Sequence, residues 1–248
     1  MKQCKEKVQT GPERDEYCDS KRCASMSAVI FDMDGSLLDS ERFARTVYQR
    51  TAQSLGWKIE DGLFESLLGR TQEDAQRRLA KQLGPDFPLG AFQASVGGAM
   101  LAHQDWRSLV KHGATELLEY LRYLGLPTAV ATSTMTQEAL KRLESSGLLE
   151  YFDAVVGGDD VERGKPAPDI FLEAAKRLGV SPHKCVVFED SVNGIEAAKA
   201  ADMTVIHVID LQQPTARSRD IAYLVVRSFV DVPVAIFTPP AMVGAGPT

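Results

Sequence analysis

Two aspartates, Asp32 and Asp34, stand i, i+2 apart in Phe31-Asp32-Met33-Asp34-Gly35-Ser36, where an apolar run turns into a glycine-bearing loop. At that spacing both carboxylates can face one small ligand, and in open α/β sheets ligand sites form at the carboxyl ends of strands. A second apolar run ends in Thr132-Ser133-Thr134, which offers hydroxyls and backbone N–H groups to an anion, although such residues are also ordinary helix caps. Gly164-Lys165-Pro166-Ala167-Pro168-Asp169 puts one lysine before a proline-marked helix start; an exposed loop lysine is the plainer alternative. Val186-Val187-Phe188 runs directly into Glu189-Asp190-Ser191, followed by Asn193-Gly194. Adjacent acids behind an apolar strand are costly unless they meet a cation. Phosphoryl transfer needs a nucleophile, a hard cation, donors for the phosphoryl oxygens and an acid–base group. The four segments supply each of these parts.

The elements that must carry these residues are legible as an alternation. Short apolar runs at Ala28–Phe31, Thr128–Ala131, Ala154–Val156, Val186–Phe188 and Thr204–Val208 are nearly continuous rather than alternating, as strands covered on both faces are. Helical patterns lie between them at Ala114–Leu124, Gln137–Ser145, Ile170–Leu178 and Val192–Ala201, with Gly125, Gly147 and Gly179 as stops. The expected fold class is therefore α/β, a parallel sheet with helices. Roughly 70 residues separate the first strand from the next unit and look helical throughout, too long for a simple crossover. The expected organisation is a leader over 1–25, a core over 26–41 and 113–230, a helical insertion over 42–112 and a loose, proline- and glycine-rich tail over 231–248.

Composition narrows the classes. With 248 residues, 44% hydrophobic and 25% charged, the chain is long enough for a sizeable core. A net charge of -6 argues against a nucleic-acid partner, which would call for a basic face. No apolar stretch reaches the roughly 18 residues that span a bilayer, so no membrane is expected. Three of the four cysteines (Cys4, Cys18, Cys23) fall in the leader, too few for a disulfide framework, and a reducing cytoplasm is expected.

The four chemistry-bearing segments resemble, in order and spacing, the motifs of the haloacid dehalogenase superfamily over about residues 28 to 208. The insertion resembles the small α-helical cap of that family, on a Rossmann-like core, and the branch resembled holds sugar and polyol phosphatases and β-phosphoglucomutase. The resemblance implies a phosphatase acting on a small phosphorylated metabolite (a sugar, polyol or nucleoside phosphate), with Mg2+ as cofactor and the chain a monomer. It implies Asp32 as the nucleophile that becomes an aspartyl-phosphate, and Asp34 as general acid and then base. Thr132 and Lys165 would hold the phosphoryl oxygens. Magnesium would meet the Asp32 carboxylate, the Asp34 backbone carbonyl and Asp190, with Glu189 bound directly or through water. Gly35, Ser133, Asn193 and Arg70 are the further candidates for phosphate or substrate contact, Arg70 lying where the family's cap loop reaches the site.

Departures from the pattern narrow the branch. Where β-phosphoglucomutases carry a hinge histidine this sequence has Ala44, and in place of their cap lysine and arginine it has Leu68 and Gln72. A phosphomutase and a catalytically idle binding protein of the same fold are the alternatives, the latter disfavoured because Asp32, Asp34, Lys165 and Asp190 are all present. Gly157-Gly158-Asp159-Asp160 reads as a turn, Trp57 and Trp106 as packing residues, and Asp39 and Glu41 as acids favoured by a helix dipole. His103, His112, His183 and His207 form no ligand pattern.

Overall fold

The computed structural model describes residues 26–68 and 72–237. The leader over 1–25, Gly69-Arg70-Thr71 and the tail beyond 237 lie outside the described residues, and with them the expectation placed on Arg70. Among the described residues six parallel strands form one sheet: β1 (Ala28–Phe31), β2 (Thr128–Ala131), β3 (Ala154–Val156), β4 (Cys185–Glu189), β5 (Thr204–Val208) and β6 (Leu224–Val226), in the order β3-β2-β1-β4-β5-β6. Every residue of β1, β2 and β4 is buried, as the unbroken apolar runs require of strands sandwiched between helices. Pairing is in register from Val29 with Thr128 on one side and Val186 on the other, so β1, β2 and β4 end level with one another. Phe31 and Phe188 stack across that edge with ring centroids 4.9 Å apart. An aromatic pair of this kind adds about 0.5–1.5 kcal/mol beyond its area burial.

Helices α1 (Ser40–Ser54), α2 (Asp61–Glu65), α3 (Gln72–Leu83) and α4 (Leu89–Ala102) follow β1; α5 (Ala114–Tyr123), α6 (Thr136–Ser146), α7 (Asp169–Leu178), α8 (Val192–Ala200) and α9 (Ala216–Ile221) follow the later breaks in the chain. One apolar cluster joins the sheet to α7 and α8 through Ile30, Ala129, Phe171, Val187, Ile195 and Val205. A separate cluster lies within α1 to α4, where Phe64, Leu79, Phe87, Phe92 and Val96 are buried. Trp57 stands edge-on to Phe87 at 5.4 Å in this second cluster, and Trp106 is 3% exposed, so both indoles pack. Gly147 and Gly179 end α6 and α7 in the left-handed conformation that glycine adopts without strain. Pro233 to Phe237 hold a short helical turn, Val234–Phe237. Among the described residues no helix is long and apolar enough to cross a membrane.

Candidate active site

The chain runs from β1 outward through β2 and β3, then returns to the far side of β1 as β4. That reversal opens a crevice at the carboxyl ends of β1 and β4, where open α/β sheets bind ligands. Asp32 stands in it, 6% exposed, with its backbone N–H donating to the Phe188 carbonyl at 2.9 Å. Lys165 reaches in from the loop before α7. Its Nζ lies 2.5 Å from Asp32 Oδ1, 2.8 Å from Glu189 Oε1 and 3.2 Å from the Ala131 carbonyl. One ammonium thus ties together the ends of β1, β4 and β2. The loop-lysine alternative is excluded, because the Lys165 side chain is only 6% exposed.

The acids behind β4 are placed with equal specificity. Glu189 Oε2 accepts from the Ser191 backbone N–H at 2.6 Å, and Ser191 Oγ accepts from the Gly194 N–H at 3.0 Å to cap α8. A Cβ at Gly194 would fall 1.6 Å from Glu189 Oε1, so the helix start is hydrogen at that position to admit the carboxylate. Gly35 does the same for Asp190. Its φ is +86°, and a Cβ there would lie 2.3 Å from Asp190 Oδ2. Ser36 Oγ donates to Asp190 Oδ1 at 3.1 Å, and His207 Nε2 meets the Asp190 backbone carbonyl at 3.1 Å.

Burial dominates the electrostatics. It pushes the Asp32 carboxyl up to about 7, against the pull of Lys165 and with the help of Glu189 and Asp34. It raises Asp190 well above the usual carboxylate range, with Glu189 and Asp32 adding to the effect. Burial also lowers Lys165, but Asp32 and Glu189 together outweigh it and hold the ammonium above its ordinary value. Asp32, Glu189 and Asp190 are all buried, and the single positive charge of Lys165 pairs with the first two alone. Buried negative charge in excess is what a bound cation relieves, and a donor set made wholly of oxygen suits a hard divalent ion such as magnesium. The residues fit that group.

A further acid group adjoins Asp190. Ligand oxygens of Glu41, Asp190 and Asp210 lie within 4.8 Å of one another. Asp210 is also bonded by Lys111 at 2.8 Å and by Arg42 at 2.7 Å, and Lys111 donates to the Gly35 carbonyl. Burial, followed by Asp210, pushes Glu41 up to about 8. Glu41 therefore does more than sit in the first turn of α1, and Asp39 is held by Arg42 at 2.7 Å rather than capping the helix.

Asp34 faces elsewhere. Its Oδ1 accepts from Arg142 Nη1 at 2.8 Å and its Oδ2 from Thr134 Oγ1 at 2.6 Å. With Arg142, Glu41 and Tyr48 it borders a cavity of about 470 Å³ whose remaining wall is mostly apolar, including Phe64, Leu79 and Phe92. Thr132 is 1% exposed, its Oγ1 accepting from the Thr134 N–H at 3.1 Å, and Ser133 is exposed beside it. Asn193 lies half-buried in the first turn of α8. Asp159 and Asp160 of the glycine–aspartate turn bind Thr136 at the start of α6, so that turn braces the Thr132–Thr134 loop. The structure thus gathers Asp32, Lys165, Glu189, Asp190 and Gly35 at one point and leaves Asp34 at its edge.

Arg142, Lys111, Asp210, Ser36 and His207 escape a reading of the sequence. Asp210 had a signal, being an acid just past the apolar strand Thr204–Val208. Arg142 had another, since it falls on the buried stripe Ala139, Arg142, Leu143, Ser146 of α6, where a charge is out of place unless paired.

A parallel α/β sheet with a buried carboxylate–lysine centre beside a half-open cavity of about 470 Å³ is the architecture of an enzyme that acts on small molecules. The chain belongs to the haloacid dehalogenase-like hydrolases, a family matched by residues 26–202. It is 39% identical to the phosphorylated carbohydrates phosphatase of Thermotoga maritima, over 73% of this chain and 84% of that one. It is 36% identical to (DL)-glycerol-3-phosphatase 2 of Arabidopsis thaliana, over 84% and 89%. Among solved structures, a Thermotoga maritima protein provisionally named a β-phosphoglucomutase superimposes with a TM-score of 0.70 at 34% identity, covering 86% of this chain and 97% of that one.

Proposed function

We propose that this hydrolase is a magnesium-dependent phosphatase that cleaves the phosphate ester of a small carbohydrate or polyol through an aspartyl-phosphate on Asp32. The observation that carries the reading is the buried Asp32–Lys165–Glu189 centre at the end of β1, with Asp34 turned to the cavity beside it. Asp32 attacks phosphorus, and Lys165 opposes the burial that favours the protonated form of that carboxyl. Asp34 protonates the leaving oxygen and then takes a proton from the attacking water. Thr132 and Ser133 would hold phosphoryl oxygens at the end of β2, with Gly35 and Asn193 at the rim and Arg70 on the substrate side. Asp32, Asp190, Glu189 and the Asp34 backbone carbonyl would hold magnesium, which when bound supplies positive charge against the phosphoryl oxygens.

On this reading the helical segment 42–112 serves as a cap over the core of 26–41 and 113–230, and the enzyme acts as a monomer in the cytoplasm. Ala44 and Leu68 border the cavity as apolar wall, where the mutase-like pattern has a histidine and a lysine, which favours hydrolysis over phosphoryl return. Release of inorganic phosphate from a panel of sugar and polyol phosphates tests the reading, with no bisphosphate activator added. Asp32→Asn should abolish it while leaving the melting curve cooperative. Residual activity within about tenfold of the parent, a change below about 1.4 kcal/mol, would place the nucleophile elsewhere.

A further inference from the structure

We propose that Arg142 is a positioning residue for the reaction, holding the Asp34 carboxylate on the leaving-group side of the site. The inference rests on the reading of Asp34 as the acid–base group. A buried arginine must be paired to be tolerated, and the pairs that Arg142 makes are directional. Its Nη1 lies 2.8 Å from Asp34 Oδ1, while Nε and Nη2 each lie 3.1 Å from Glu138 Oε1, one helical turn back. Its guanidinium lies over the Trp106 ring at 4.5 Å, and Trp106 Nε1 donates to the His103 carbonyl at 3.0 Å. The fork is therefore fixed on two sides, by Glu138 and Trp106, before it reaches Asp34.

The consequence for Asp34 is a defined direction. Asp34 and Arg142 border the cavity of about 470 Å³, and Asp32 and Lys165 do not. The two aspartates are thereby separated, Asp32 toward Lys165 and Asp34 toward the space where the alcohol half of a substrate fits. Thr134 completes the clamp on the second oxygen at 2.6 Å. A hydroxyl both donates and accepts, so this contact serves Asp34 with or without a proton. General acid–base catalysis tolerates little misplacement of the proton-carrying oxygen, since the group must lie within hydrogen-bond reach of the leaving atom.

The test compares two substrates that differ in their need for a proton. An alkyl phosphate leaves as an alkoxide and requires one, whereas a nitrophenyl phosphate leaves without help. Arg142→Gln should lower kcat for glycerol phosphate about 10- to 100-fold with KM within about threefold. The first turnover with nitrophenyl phosphate should stay within about threefold of the parent. Arg142→Lys keeps the charge but not the fork, and should recover part of the loss. In an Asp34→Asn background, Arg142→Gln should cost less than about twofold more, because a residue acting through Asp34 has nothing left to position. Equal losses on both substrates, or full additivity in the double variant, overturn the proposal. If Arg142→Gln does not fold, the same comparison is made with Arg142→Lys, and the same outcomes decide. Should Asp34→Asn itself treat both substrates alike, the acid–base reading of Asp34 falls; should only the Arg142 variants do so, that reading stands and this inference falls.

Discussion

Asp32 and Asp34 are two positions apart, and their surroundings divide the chemistry between them. Asp32 is buried against Lys165, while the Asp34 side chain keeps 28% exposure beside Arg142 and the cavity. On the proposed mechanism Asp34→Asn keeps the backbone carbonyl and loses the proton. With nitrophenyl phosphate it should show a burst near one nitrophenol per site, then slow turnover as the aspartyl-phosphate waits for water. With an alkyl phosphate it should be slow from the first turnover, by roughly 10²–10⁴-fold. Mass spectrometry in the slow phase should find the phosphoryl group on Asp32; an unmodified chain would remove the intermediate. The residues that sequence reasoning found share one property, that each follows an apolar strand or opens a marked helix within a few positions. Arg142 sits inside a helix and makes sense only once α6 is laid against Asp34. His207 lies within a strand, where nothing local distinguishes a buttress for Asp190 from a core histidine.

At the scale of elements, the strands Ala28–Phe31, Thr128–Ala131, Ala154–Val156 and Thr204–Val208 coincide with the apolar runs, because strands covered by helices are nearly continuous in apolar residues. β6 escaped notice because Leu224–Val226 is three residues long and lies at the head of a longer apolar stretch. α9 escaped because Ala216–Ile221 is short and mostly polar. The segment 42–112 reads as helical, but its division into α1 to α4 depends on which faces meet, and that is tertiary information. α8 offers a test of how an element serves the site. Gly194→Ala should gain about 1 kcal/mol of helix propensity were the position open. The added methyl instead meets Glu189 Oε1 at 1.6 Å, and overpacking of this kind costs about 1–3 kcal/mol. The clash wins. The variant should melt lower than the parent and lose at least about tenfold in kcat as Glu189 leaves Lys165, a change of about 1.4 kcal/mol or more. A variant that is more stable and fully active would show that Glu189 is not held by this close approach.

Across the whole molecule, an acidic chain with net charge -6 concentrates its least tolerable charge at the edge of one sheet. The Asp32 carboxyl is pushed from 3.8 to about 7 by burial above all, and Asp190 is raised in the same sense. For a carboxylate raised on folding, the folded protein binds a proton that the unfolded chain releases. The metal-free protein therefore gains stability from these groups as pH falls from above about 7 toward about 4, and loses it as pH rises again. A divalent cation bound by the same oxygens competes with those protons, so its effect must run the opposite way. At about pH 8, magnesium at about 100 times its Kd should add about 2.7 kcal/mol, or roughly 5–11 °C in Tm for a domain of this size. At about pH 5.5 the same concentration should raise Tm much less, because protons already neutralise the site. Taking the difference with and without cation at each pH cancels the titration of every distant group. In Asp190→Asn the magnesium-dependent rise at about pH 8 should shrink, since one buried charge and one proposed ligand are lost together. An equal rise at both pH values, unchanged in that variant, would put the cation somewhere other than the carboxyl ends of β1 and β4.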